Sequence, residues 1–244
     1  EGSNLNQIVE ESGPISLENA LPVFIQVCAA LSHAHKQKVI HRDLKPANII
    51  IASESDIHAS VKVVDFGLAR VISDEQKLTL PGQILGTPFY LSPKQVRAEP
   101  ADERSDIYAF GCVMFYVLIG KPPFEGETAL ETFELHLNTP PPDLRASGLN
   151  HEWVDRVNQI IKTALSKNPD DRYSNFDLLK DELIELLPEE TKAAVHEAEK
   201  VYSQERLREG FFLRQYGKTI FAGGIIVAVL SGLFFERLIK QGPA

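Results

Sequence analysis

The chain has 244 residues, 43% of them hydrophobic and 24% charged, which fits a globular protein of one or two domains with a substantial core. Its formal net charge of -9 argues against a nucleic-acid binder, which would present a basic face. The two cysteines, Cys28 and Cys112, lie far apart inside apolar runs. They are expected to be buried free thiols, and no short Cys/His cluster has zinc spacing.

The first residue is Glu1, no signal peptide opens the chain, and "EGSNLNQIVEESG" follows no strand or glycine-rich turn. The chain reads as entered in its middle. Residues 19–37 place Leu21, Phe24, Ile25, Val27, Cys28 and Leu31 at helical spacing, which predicts a buried helix capped by Asn19 with Pro22 in its first turn. The polar "HRDLKPAN" follows, flanked by Val39-Ile40 and Ile49-Ile50-Ile51, a pattern of strand, loop, strand. "SVKVVDFG" at 60–67 predicts another strand. Residues 68–92 show no period, and a loop of that length is expected to be functional or disordered.

"SDIYAFGCVMFYVLI", residues 105–119, is apolar nearly all round, which predicts a helix buried on every side, ended by Gly120 and "KPPF". A short amphipathic helix is expected over 127–137, then the proline-rich loop "NTPPPDLRASG". Residues 152–166 carry an apolar stripe through Trp153, Val157, Ile160, Ile161 and Leu165, and 175–187 form a further helix.

After Pro188 the composition becomes charged and helix-favouring, consistent with a helical linker over 188–218. "TIFAGGIIVAVLSGLFF", residues 219–235, has no charge. As a helix it spans ~25 Å, just short of the hydrocarbon core of a bilayer. A buried core helix would show a polar face and would not sit beside the chain's last residues, so 219–235 reads as transmembrane, with a tail at 236–244. Arg206, Arg208, Arg214 and Lys218 outnumber the cations after it, which places the large domain on the cytosolic side. Gly224, Ala228 and Gly232 form a small-residue stripe that offers a surface for helix pairing.

Five motifs recur in a telling order: "HRDLKPAN", "DFGLAR", "GTPFYLSP", "SDIYAFGCVMFYVLIGKPPF" and "NPDDRY". Together they resemble the C-terminal lobe of a eukaryotic-type Ser/Thr protein kinase of the bacterial, membrane-anchored kind, over residues 1–187. The resemblance implies a kinase-like α+β fold, of which this chain holds the mainly helical lobe. Phosphoryl transfer needs an oriented hydroxyl, metal ions on the phosphates and a nucleotide cradle. The resemblance assigns Asp43 to the acceptor hydroxyl, Asn48 and Asp65 to Mg2+, Lys45 to the transferred phosphate, Thr87 to support of a Ser/Thr hydroxyl, and Ile50 to the floor of the adenine pocket of ATP. It also implies that Asp106 holds the catalytic loop and that His41 stacks on Phe66. Arg42 marks a kinase switched on by phosphorylation, with Thr79, and after it Ser73, as the modified residue. The partners implied are a protein substrate, the membrane and a second copy meeting through the kinase lobe or the membrane helix.

Two departures stand out. Where the family writes Ala/Ser-Pro-Glu this chain has "SPK", so Lys94 stands where a glutamate normally pairs with the arginine of "DR", here Arg172. Either Lys94 turns to solvent and Arg172 finds Asp170 or Asp171, or the segment is loosely anchored; on this reading Lys94→Glu raises stability. The chain also contains no G-x-G-x-x-G loop and no V-A-I-K-like strand, and begins about where the hinge between lobes would end. It therefore reads as a fragment of an ATP-dependent kinase. The alternative is a catalytically inactive, membrane-anchored lobe that serves as a binding or scaffold protein.

Overall fold

Side-chain caps set most of the helix starts. In the computed structural model, which describes residues 2–51, 61–66, 88–149, 152–189, 191–193 and 195, α1 (Leu5–Ser12) opens on Asn4. The Asn4 side chain accepts from the Gln7 amide, and Gln7 accepts from the Asn4 amide. The same reciprocal box starts α3 (Pro93–Val96) at Ser92 and Gln95, α4 (Glu103–Ile119) at Asp102 and Ser105, and α5 (Ala129–Asn138) at Thr128 and Glu131. Asn175 caps α7 (Phe176–Ile184), which α6 (Val154–Ala164) precedes. Gly120 ends α4 in the left-handed conformation, φ 80°, as its position predicted.

α2 (Leu17–Lys36) differs from its expected start. It begins after Ser16, so Asn19 is not its cap and Pro22 lies inside the helix. Proline has no N–H to give the Glu18 carbonyl, and burial of the stretch from Ala20 to Cys28 holds the helix through that gap.

The three strands are short: β1 (Ser3–Asn4), β2 (Ile49–Ile51) and β3 (Val61–Val63), antiparallel in the order β1-β2-β3. β1 and α1 lie in a stretch that showed no pattern beforehand. Val39-Ile40 is not a strand: Lys38 turns at φ 61° and the Val39 amide folds back on the Ala34 carbonyl at 3.0 Å.

α4 is the axis of the core, with every residue from Ser105 to Leu118 buried. α2 lies against α7, β3 and α4, and α6 packs on α4. Gly111 permits that last approach, since a Cβ there would stand 3.0 Å from Leu165 Cδ2 and 3.1 Å from Ala164 Cβ. Cys28 and Cys112 are buried free thiols, as expected. The anticipated helix at 219–235 lies outside the described residues; among those described, no helix is long and apolar enough to cross a membrane.

Lys94 and Arg172 do not oppose each other unpaired. Lys94 Nζ donates to Asp102 Oδ2 at 2.7 Å, on the residue that caps α4. Arg172, 5% exposed, gives its donors to the carbonyls of Ser166 (2.7 Å), Lys167 (3.0 Å) and Arg104 (3.1 Å), and lies over the Tyr108 ring at 4.8 Å. Neither Asp170 nor Asp171 is its acceptor; Asp170 pairs with Arg104 instead. Burial works to raise the Asp102 carboxyl, but the bonds from Lys94 and Ser105 hold it below the ordinary carboxylate value. The sign of the expected mutation therefore reverses. Lys94→Glu sets a second carboxylate beside Asp102 and removes a half-exposed ion pair worth up to ~1 kcal/mol. A melting temperature lower by about 2–5 °C is expected in a thermal denaturation scan. A higher one would show that Arg172 lacks a carboxylate after all.

Candidate functional site

Residues 41–48 are a loop without strand or α-helix, held from outside by one buried side chain. Asp106, 1% exposed in the first turn of α4, accepts from the amides of His41 (2.7 Å) and Arg42 (2.8 Å) and from His35 Nε2 (2.8 Å). Arg42 is thereby fixed at φ 67°, and its carbonyl accepts from Gln95 Nε2 of α3 at 2.7 Å. His41 Nε2 donates to the Val64 carbonyl at 2.9 Å, and its ring meets Phe66 with centroids 4.7 Å apart. The expectations for Asp106 and for the His41–Phe66 contact hold.

The loop then tightens into a 3-10 turn at Pro46–Asn48. The Asn48 amide donates to the Lys45 carbonyl at 2.9 Å, and Asn48 Nδ2 to the Asp43 carbonyl at 2.8 Å. Lys45 Nζ donates to Asp43 Oδ2 at 2.8 Å, so the cation and the carboxylate face the same space at the surface.

Strand register brings the second carboxylate in. Ile49 pairs with Val63, and the Val64 amide donates to the Asn48 carbonyl at 2.9 Å. Asn48 before β2 and Asp65 after β3 are thus neighbours at one end of the ladder. Asp65 is exposed and sits at φ 57°. The buried Asn48 has spent its Nδ2 on the loop, which leaves Oδ1 as its acceptor. An amide oxygen and a carboxylate on neighbouring backbone positions are hard donors of the kind Mg2+ takes, and that ion needs few protein ligands when phosphates and water supply the rest. In β2, Ile49 and Ile51 point into the core and Ile50 takes the opposite, half-buried face.

Asp43, Lys45, Asn48 and Asp65 are therefore brought together, with Ile50 on the adjoining strand and Arg42 at the loop's turn. Thr87, Thr79 and Ser73 lie outside the described residues. Gln95 and His35 are site-supporting residues that sequence reasoning missed. The S-x-x-Q spacing of a capping box at Ser92–Gln95 was the one available signal for Gln95. His35 gave none beyond its place on a helix.

A polar cluster supports the turn at Pro88–Tyr90, beyond α4. Tyr108 and His136 Nδ1 share a hydrogen bond of 2.9 Å. Lys167 Nζ lies 3.9 Å from the Phe124 ring centroid and donates to the Leu135 carbonyl at 3.2 Å. Burial, helped by the Arg172 cation, pushes the Lys167 ammonium down to about 8. Burial likewise pushes His136 down to about 4, with Lys167 adding to the effect and the Pro88 and Phe89 carbonyls opposing it. His136 Nε2 makes no hydrogen bond among the described residues.

A buried helix gripping a catalytic loop, with a carboxylate-bearing hairpin beside it, is the arrangement of the larger lobe of protein kinases. The protein kinase domain model matches residues 1–184, and the chain belongs to that family. It is 44% identical over 177 residues to the probable serine/threonine-protein kinase PknB of Corynebacterium glutamicum, covering 71% of this chain and 27% of that protein. It is 38% identical over 186 residues to the serine/threonine-protein kinase PknB of Mycobacterium leprae, covering 75% and 29%. The chain thus spans under a third of the length of these relatives. A crystal structure of Rad53 1-466 in complex with AMP-PNP shares the fold, with a TM-score of 0.60 and 24% identity over 75% of this chain and 44% of that one.

Asp106→Ala leaves three donors, the His41 and Arg42 amides and His35 Nε2, without their acceptor, at about 1–3 kcal/mol for each buried one. Hydrogen exchange at the His41 and Arg42 amides is expected to accelerate together with a fall in melting temperature. Unchanged protection of both amides would mean that the loop is held by something else. His136 supplies a pH test. The unfolded chain takes up the imidazole proton near 6.5 and the folded one only near 4, so stability is fully present above 6.5 and drains away as pH falls towards 4. The loss is on the order of 2–3 kcal/mol. His136→Gln keeps a polar partner for Tyr108 without titrating, and urea denaturation between pH 7 and 4 is expected to give a flatter profile than the parent. Parallel profiles would remove His136 from the account.

Proposed function

We propose that this chain is the substrate-facing and metal-facing half of a Ser/Thr protein kinase, whose intact form moves the γ-phosphoryl group of ATP onto protein Ser or Thr hydroxyls. The observation that carries the reading is the Asp43–Lys45–Asn48 constellation, with Asp65 placed beside it by the β2–β3 register. Asp43 orients the acceptor hydroxyl and takes its proton. Lys45, 2.8 Å from that carboxylate, lies where it also reaches the transferred phosphate and restrains charge build-up there. Asn48 and Asp65 would hold Mg2+, which would supply charge neutralisation for the phosphates. Ile50 floors the adenine pocket, and Thr87 supports the choice of Ser/Thr acceptors. Arg42 receives a phosphate placed on Thr79 of the activation segment.

The sequence contains no G-x-G-x-x-G motif and no V-A-I-K-like motif to grip the phosphates, so this half works with a nucleotide-covering lobe. Residues 219–235 anchor the kinase in a membrane with its lobe in the cytoplasm, on the strength of the uncharged run and the cations before it.

A fusion that sets the N-terminal lobe of the Corynebacterium glutamicum relative ahead of Glu1 tests the reading. It is expected to phosphorylate Ser or Thr in an acceptor protein with Mg-ATP, and Asp43→Asn is expected to lower the rate by about 10²–10⁴-fold. A fusion that binds Mg-ATP and transfers nothing, or one indifferent to Asp43→Asn, would leave the scaffold reading.

A further inference from the structure

Away from the catalytic loop, an open groove of about 360 Å³ runs between α6 and α7, lined by Arg156, Tyr173, Leu178, Asp181, Glu182 and Glu185. Its apolar part is Tyr173, half-buried, and Leu178, which is 48% exposed on a helix whose other apolar side chains are mostly buried. Its rim is acidic, with three carboxylates on or next to α7 against one arginine on α6.

The chain comes back to this rim after α7. Lys192 Nζ donates to Glu185 Oε2 at 2.9 Å and to Glu189 Oε1 at 2.8 Å, and Val195 is fully buried. The last described residues thus run beside the groove, and one of their cations already occupies a groove carboxylate. The residues that follow repeat that chemistry. "RLREGFFLRQYGK", residues 206–218, carries Arg206, Arg208, Arg214 and Lys218 against the single anion Glu209, with Phe211 and Phe212 between them. From Val195 to Arg206 the chain can reach roughly 35 Å, more than twice the roughly 14 Å length of α7.

We propose that the α6–α7 groove is the docking site of this chain's own segment 206–214. Its arginines meet Asp181 and Glu182, and a phenylalanine covers Tyr173 and Leu178. Exposed ion pairs of this kind contribute little each, so the buried aromatic supplies the stability and the charges set the register. Tethering helps: a segment joined by so short a linker has an effective concentration around millimolar, so a weak contact suffices. Docking would also fix the lobe's orientation relative to whatever residues 219–235 are embedded in. The inference does not depend on phosphoryl transfer.

Hydrogen exchange on the whole chain in zwitterionic detergent micelles, read by mass spectrometry, tests it. Amides of 206–214 are expected to exchange about tenfold more slowly than in a synthetic peptide of the same sequence. Asp181→Lys with Glu182→Lys should abolish the difference, and so should Arg206→Glu with Arg208→Glu and Arg214→Glu. Combining the two sets should restore it. Three results would overturn the proposal: exchange equal to that of the peptide in the parent chain, protection that survives reversal of the groove charges, or protection that appears only when anionic lipid is added. The last would assign the segment to a membrane surface instead. Asp181 and Glu182 are exposed, and an unchanged melting temperature in each variant confirms that the lobe remains folded.

Discussion

One carboxylate sets the geometry of the loop on which the proposed chemistry rests. The stretch from His41 to Lys45 has no hydrogen-bond ladder of its own, so its shape must be imposed. Asp106 imposes it by accepting two consecutive amides, which forces Arg42 into a left-handed conformation costing of order 1–3 kcal/mol for a side chain of that kind. Burying a carboxylate is itself expensive. The cost is offset because Asp106 has three donors within 2.8 Å and sits in the first turn of α4, where the helix dipole favours negative charge. The all-round burial of α4 keeps that acceptor in place. A helix that could tilt or fray would move the acceptor, and the loop with it.

The second constraint concerns cations. Arg172 is buried and Lys167 half-buried, and among the described residues neither bonds to a carboxylate. Carbonyls just after α6 and in α4 accommodate Arg172, the Leu135 carbonyl of α5 accommodates Lys167, and the faces of Tyr108 and Phe124 add to both. That explains how Lys94 can stand where a glutamate is expected. Once Arg172 is satisfied by backbone, the residue after Pro93 is released to serve the α4 cap through Asp102. A tie from α3 remains, but it runs to the cap of α4 instead of to Arg172. The turn at Pro88–Tyr90 rests on the same cluster, where burial first and Lys167 second depress His136.

Sequence made the large features legible because they are coded locally. An apolar run bounded by Asp102 and Gly120 could only be a buried helix, and the stripe through Val157, Ile160 and Ile161 could only face one way. Asp43, Lys45, Asn48 and Asp65 were named from motif order, and the loop and strand register place their backbones near one another. The failures share a cause. Gln95 reaches Arg42, and His35 reaches Asp106, across 53 and 71 residues, so no neighbouring pattern announces either bond. Lys94 was misjudged because its partner was inferred by substituting one residue into an expected pair, while the structure changed both partners. β1 and α1 were missed because two paired residues and two helical turns leave too short a periodicity. Val39-Ile40 has strand composition, but the chain is still unwinding from α2 at that point, and local hydrogen bonding wins.

The proposed metal site is the least self-sufficient part of the molecule. β2 and β3 have three residues each, too few to hold a hairpin by themselves. Asn48 and Asp65 stay adjacent only because the ladder is pinned on both sides. β1 pairs along one edge, and on the other side α2 packs on β3, with Gln26 Oε1 accepting from the Val61 amide at 3.1 Å. Gln26 and Ser32 therefore link the two ends of one device. Ser32 bonds Asp177 of α7 at 2.7 Å, so α2 couples the hairpin to the same helix that forms the acidic groove. α2 thus contacts both the strands that bring Asn48 and Asp65 together and the helix that lines the acidic groove.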